Sequence, residues 1–235
     1  MLKPVSVKEH STASQRARIG ALVGGILPYF LLIVCLMAAM YPAIDLGAGE
    51  KESGTLETLL LAPIPRSQIV LGKFLVLFSV GLTSSLLMVS SLGVLFFFLG
   101  GALDADLVGA ISSIGAFDLI LIAVMLIPTA AIFASILLAM SIYARNYKEA
   151  SGMMQPLMLL TLFPVILGML PSVSLDWFWA CVPLTNVALA MKEIVKGTMD
   201  YSKFFAIFFS TSVVAASLLA WCRSWFLRED VLFRT

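Results

Sequence analysis

The chain has 235 residues, of which 60% are hydrophobic and only 12% charged, with a mean hydropathy of +1.02, whereas about a quarter of the residues of a soluble domain carry charge. That balance excludes an ordinary soluble domain and points to a multispan membrane protein. A net charge of +1 without a basic block gives no electrostatic footprint for nucleic acid, and Cys35, Cys181 and Cys222 stand too far apart for a CxxC metal or redox pair.

Residues 1–19 read as a polar tail without a signal-peptide cleavage pattern. A bilayer core takes about 20 helical residues, and apolar runs at 21–44, 69–99, 117–143, 154–170 and 204–221 predict five transmembrane helices within a single transmembrane domain over 20–235. Backbone polar groups in lipid must be satisfied within the segment, so the predicted fold class is all-α. A further apolar stretch, 177–191, is shorter, contains Pro183 and Asn186, and runs into Lys192, Glu193 and Lys196 at helical spacing. It predicts a re-entrant or interfacial helical segment near 177–197. A full sixth span is the alternative reading.

The link between the first two runs reads GEKESGTLETLLLAP, residues 49–63. As a helix over 52–61 it sets Leu56, Leu59 and Leu60 on one face, and it places Glu50, Glu52 and Glu57 toward the N-terminal end, where the helix dipole favours negative charge. Pro63 and Pro65 stop it, and Gly49 and Gly54 permit a sharp change of direction. Such an element is suited to being gripped by a partner groove; the competing reading is a helix that merely lies on the membrane. With the link inside the cell, Lys51, Arg66, Lys73, Arg145, Lys148, Arg223, Arg228 and Arg234 are cytoplasmic. Lys3, Lys8, Arg16, Arg18, Lys192, Lys196 and Lys203 then fall outside, so the count of basic residues alone does not fix the orientation.

Gly49-Glu50-Lys51-Glu52, Gly54-Thr55-Leu56-Glu57-Thr58-Leu59-Leu60, Pro63, Arg66 and Gly72-Lys73 together resemble the signature of the ABC type-2 permease family, closest to its sodium-efflux (NatB-like) branch. The stretches 28–46, 183–197 and 226–233 are similar to the same branch, and the resemblance implies that 183–197 forms short extracellular-side helices with Lys192, Glu193 and Lys196 on the wet face; an ordinary amphipathic loop is the alternative reading. The resemblance implies that the link is a cytoplasmic coupling helix docking on a separate ATP-hydrolysing subunit, with Glu50, Lys51, Glu52, Gly54, Thr55, Leu56, Glu57 and Leu60 as the coupling residues. It also implies a multi-pass protein of the plasma membrane and a second permease copy or sister permease beside it. ATP and magnesium would be bound by the partner ATPase, and the complex would carry out efflux of a substrate, sodium in the nearest branch. Two departures stand out: Ser53 occupies a position where many relatives have Arg, and the usual first span and extracellular domain do not precede residues 21–44.

Within this sequence Gly72-Lys73-Phe74 lacks both the first glycine and the hydroxyl residue of a phosphate-binding loop, so the chain is read as having no ATPase site of its own. An intramembrane enzyme is the competing class, but His10 is the sole histidine and lies in the tail, and no general base accompanies Ser84, Ser85, Ser90 and Ser91. A purely structural membrane protein is the other alternative. The spans hold no ionisable group near their middles, so the pathway candidates are neutral: Ser84, Ser85, Thr129 and Asn186 before others. Against that role stands their use as small polar groups that share hydrogen bonds between packed helices.

Overall fold

The computed structural model describes residues 15–99, 115–169, 179 and 182–226. Expectations for residues 1–14, for the loop at 100–114 and for most of 170–181 lie outside the described residues. Among the described residues there is no strand. The elements are α1 (Gln15–Ile44), a π-helical turn (Asp45–Gly49), α2 (Glu50–Glu52), α3 (Thr55–Leu60), α4 (Arg66–Leu99), α5 (Ala116–Tyr143), α6 (Tyr147–Met169), α7 (Thr185–Lys196) and α8 (Tyr201–Phe226).

Four of these stretches are long and apolar enough to cross a membrane: Ile26–Glu52, Arg66–Val94, Ala116–Tyr143 and Tyr201–Phe226. The fifth expected span lies in α6, whose 23 residues reach about 35 Å at helical rise. Helix α1 starts at Gln15, so the last residues of the expected polar tail are already helical. Gln15, Arg16, Ala17 and Arg18 are all good helix formers, and nothing in them halts the helix before the apolar run.

The bundle has an inner and an outer set of helices. Helix α5 packs against α1, α4 and α8 and buries most of its length from Ile122 to Ile142, with Phe133, Leu137 and Leu138 fully enclosed. Leu31, Leu32, Cys35 and Leu36 of α1 meet it in the same core. Outward, Leu75 and Leu87 of α4, Leu159 and Phe163 of α6, and Phe205 and Phe209 of α8 are exposed. Such a belt of large apolar side chains is stable only against lipid or another apolar surface. Helix α5 opens with Asp118, whose carboxylate accepts the Gly115 amide at 3.1 Å and adds negative charge where the dipole favours it.

The segment near 177–197 departs from expectation. Its ordered part, α7, is a 12-residue helix, too short to span, but it is not half-wet: every residue from Thr185 to Lys192, with Ile194 and Val195, is buried among α1, α5, α6 and α8. Lys192, expected on a wet face, is enclosed with them. Burial, reinforced by the nearby Lys196 charge and opposed by Glu193, holds its ammonium below the ordinary lysine range. Glu193 and Lys196 remain partly exposed, as expected. The helix ends at Gly197, whose left-handed φ of 72° lets the Thr198 amide reach Glu193 O at 3.0 Å and the Gly197 amide reach Ile194 O at 2.9 Å.

Candidate functional site

The first span does not stop where the sequence suggests. Gly49, expected to turn the chain, sits in ordinary helical geometry with φ −63°, and the helix passes through the π turn to Glu52 before breaking at Ser53-Gly54. Gly54 alone is left-handed there, with φ 73°, a conformation that costs a residue with a Cβ about 1–2 kcal/mol. The expected single helix over 52–61 is therefore two pieces: α2, which completes the first span, and α3, which lies beyond the turn. The Ser53 hydroxyl donates to Gly49 O at 2.8 Å and pairs with Thr55 Oγ1 at 2.9 Å, while Thr55 Oγ1 also reaches Glu50 O at 3.3 Å. Position 53 is thus used to close the turn.

A π turn widens the helix and displaces backbone groups from their usual partners. Here the Ala48 amide donates to Ser141 Oγ of α5 at 3.0 Å, and the same hydroxyl lies 3.4 Å from Ile44 O. Leu46 O accepts from Lys73 Nζ of α4. The two helices can approach so closely because residue 47 is glycine: a Cβ there would lie 2.2 Å from Ser141 Oγ and 2.8 Å from the Ser141 backbone carbon.

Three consecutive charged residues follow, and successive positions on a helix point about 100° apart. They consequently reach three different neighbours. Glu50 forms an ion pair with Lys73 of α4, the two side chains being 21% and 6% exposed. Lys51 donates to Ile142 O, and to Ala144 O at 3.4 Å, at the C-terminal end of α5, where the helix dipole favours a cation. The Glu52 carboxylate accepts the Tyr147 amide at 2.9 Å, at the N-terminus of α6, where it favours an anion. The α5–α6 junction is held from its own side as well: Asn146 Oδ1 accepts the Glu149 amide at 2.8 Å, and Glu149 Oε2 accepts the Arg145 amide at 2.8 Å.

Beyond the turn, Leu56 is buried and Leu59 and Leu60 pack against the core, as their spacing predicts. Thr55, Glu57 and Thr58 face out, followed by Leu61 at 86% exposed and by Pro63 and Ile64. Helix α3 ends at Leu60, before both prolines, because a proline disfavours helical geometry in the residue preceding it. Of the eight coupling residues read from the resemblance, then, Glu50, Lys51 and Glu52 bind within the chain, Gly54 makes the turn, Leu56 and Leu60 anchor α3, and Thr55 and Glu57 lie on the exposed side.

Three of the four pathway residues have hydrogen-bond partners of their own. Ser85 Oγ bonds Gly81 O at 2.9 Å and Thr129 Oγ1 bonds Met125 O at 2.9 Å, each a buried hydroxyl turned back on its own helix. Ser84 is half-buried. Asn186, fully buried, donates to Thr211 Oγ1 of α8 at 3.3 Å and accepts the Val187 amide at 2.7 Å. The sequence reading missed Ser141 and Tyr147. Ser141 carries no signal, since a serine inside an apolar run looks like any other; the junction before Tyr147 did carry one in the Asn146-x-x-Glu149 spacing of a helix start.

The clamp thus sits on the very stretch, Gly49 to Gly54, that carries the strongest motif. The profile of the family described as ABC-2 family transporter protein matches residues 2–222. The chain belongs to that family. It is similar to the ABC transporter permease protein NatB of Bacillus subtilis (strain 168), with 23% identity over 234 residues, 97% of this chain and 59% of NatB. The chain therefore spans about three fifths of the length of that relative. No solved structure matches it significantly. With four membrane-length apolar helices, this ABC-2 chain is a multi-pass membrane protein, in bacteria one of the plasma membrane.

Two outcomes follow from the clamp. Gly47→Ala drives a methyl into the backbone of α5 and lowers stability by about 3 kcal/mol. Gly72→Ala, where nothing lies within 4 Å of the added carbon, leaves stability unchanged or raises it by about 1 kcal/mol. Thermal unfolding of the two variants in one detergent separates them, and equal melting temperatures contradict the close approach. Lys73→Met leaves the Glu50 carboxylate without its cation and destabilises by about 2–3 kcal/mol. Adding Glu50→Gln recovers part of that loss, so a double-mutant cycle returns a non-additive coupling between positions 50 and 73.

Proposed function

We propose that this chain is the membrane-embedded permease subunit of an ATP-binding-cassette exporter, with the link end of the bundle in the cytoplasm and the exposed side of α3 as the contact for a separate ATPase subunit. Family membership supports the reading, and the observation that carries it is the division of labour within the link. Its inner half is tied to three other helices, while its outer half leaves Thr55, Glu57, Thr58 and the strongly exposed Leu61 without cover. An apolar side chain beside an isolated carboxylate, on a short helix anchored by Leu56, fits a groove with a cationic rim.

In this mechanism ATP and magnesium belong to the partner, and a second permease copy or a sister permease completes the complex. Closure of the ATPases displaces α3. Because α2 is continuous with the first span and its three charges hold α4, α5 and α6, that displacement reaches four helices at once. The permease thus has two arrangements whose balance the nucleotide shifts. Substrate efflux is the transport direction suggested by the family resemblance, with sodium as the cargo suggested by its nearest branch.

The test is co-purification. The full chain, tagged and extracted in mild detergent, brings down a P-loop ATPase, and Glu57→Lys abolishes or strongly reduces that capture. Glu57 makes no side-chain hydrogen bond or ion pair among the described residues, so the variant retains the melting temperature of the unmodified protein. Undiminished ATPase capture by a folded Glu57→Lys protein removes α3 as the docking element.

A further inference from the structure

At the link end, away from the clamp, a groove of about 380 Å³ opens between the first turns of α4 and the last turns of α8. Its chemistry changes along its length. Ser67, Gln68 and Arg223 form the mouth. Deeper in the bundle, by about 10 Å along α8, the lining becomes Leu71, Leu219 and two alanines, Ala216 and Ala220. The small residues on α8 leave the space, and Leu71, Ala216 and Ala220 are exposed, so the groove is open along the outer surface of the bundle.

Aromatic rings flank the mouth. The rings of Trp221 and Trp225 of α8 lie with centroids 4.5 Å apart and planes tilted by 50°, and Trp225 meets Tyr143 of α5 at 5.7 Å. Tyr and Trp rings gather at the membrane–water boundary, and Arg223 stands between the two tryptophans in sequence. It is exposed, and it forms no hydrogen bond or ion pair among the described residues. No acidic residue lines the groove. The first turn of α4 adds its positive dipole end beside the same mouth.

We propose that this groove binds one anionic phospholipid of the adjoining leaflet, its phosphate held by Arg223 and Ser67 and the upper part of an acyl chain laid along Leu71, Leu219 and the α8 alanines. Charge complementarity selects the class: a basic mouth without a carboxylate, above an apolar channel open to lipid, fits a headgroup of net negative charge better than a zwitterionic one. Such a lipid bridges α4, which leads out of the link, to α8, which closes the bundle.

Native mass spectrometry of the full-length protein, titrated with phosphatidylglycerol or phosphatidylcholine, tests the site. Phosphatidylglycerol is retained in preference to phosphatidylcholine, and Arg223→Gln weakens its retention roughly fivefold. Ala220→Trp, which fills the channel, weakens it as well. Lys148→Gln removes an exposed positive charge at the same end of the bundle and leaves retention unchanged. Equal retention of the two lipids, or equal loss in the Arg223 and Lys148 variants, overturns the proposal. A photo-crosslinker at position 71 identifies the occupant directly: a phospholipid adduct supports the site. A crosslink to residues 227–235, which include Glu229 and Asp230, or to a second copy of the chain, assigns the groove elsewhere.

Discussion

Everything at the link end depends on one stretch of helix that carries opposite charges at adjacent positions. Because a helix turns by about 100° per residue, Glu50, Lys51 and Glu52 cannot share a face, and each meets a different neighbour. Each also meets the group that its charge suits: a buried lysine, the carbonyl end of one helix and the amide end of another. Three weak local preferences thereby become one cross-brace among α1, α4, α5 and α6. The π turn just before it brings α1 close enough to α5 for this to occur, and Gly47 with Ser141 makes that contact sterically and chemically possible.

The rest of the bundle follows from burial. In lipid the side chains need not be sorted into apolar inside and polar outside, so the outer faces of α4, α6 and α8 stay apolar while the inner helices compete for contact. Helix α7 takes the most enclosed position although it has the most polar sequence of the longer helices. Asn186 is tolerated there because its side chain donates to Thr211 Oγ1 of α8 and accepts the Val187 amide. Ser85, Thr129 and Thr161 instead turn back on their own helices, which satisfies them without marking a route through the membrane.

The proposed exporter role gives the brace a mechanical meaning. A docking surface that is merely attached to a membrane domain by a flexible loop can bind a motor but transmits little force. Here the exposed helix α3 is one tight turn from α2, and α2 is part of the first span. A push on α3 is therefore felt by a rigid lever rather than absorbed in a linker. Polar contacts fix the other end of that lever, and polar contacts can exchange partners between two arrangements more readily than close-packed apolar ones.

The sequence by itself determined that the chain is helical and membrane-embedded, and roughly where its long helices run, because length and hydropathy act within one segment and need no partner. The same holds for the apolar face of Leu56, Leu59 and Leu60, for the stop before Pro63, and for the motif that marks the family. Only the tertiary structure decided that the first helix continues to Glu52, that Glu50, Lys51 and Glu52 each bind a different helix of the same chain, and that Lys192 is enclosed. Each of those outcomes rests on groups far along the chain: Ser141 for the π turn, Ile142 and Tyr147 for the charges, the surrounding helices for α7. A helix's periodicity records which of its residues share a face, but what that face meets is fixed by packing, and packing is absent from any single segment.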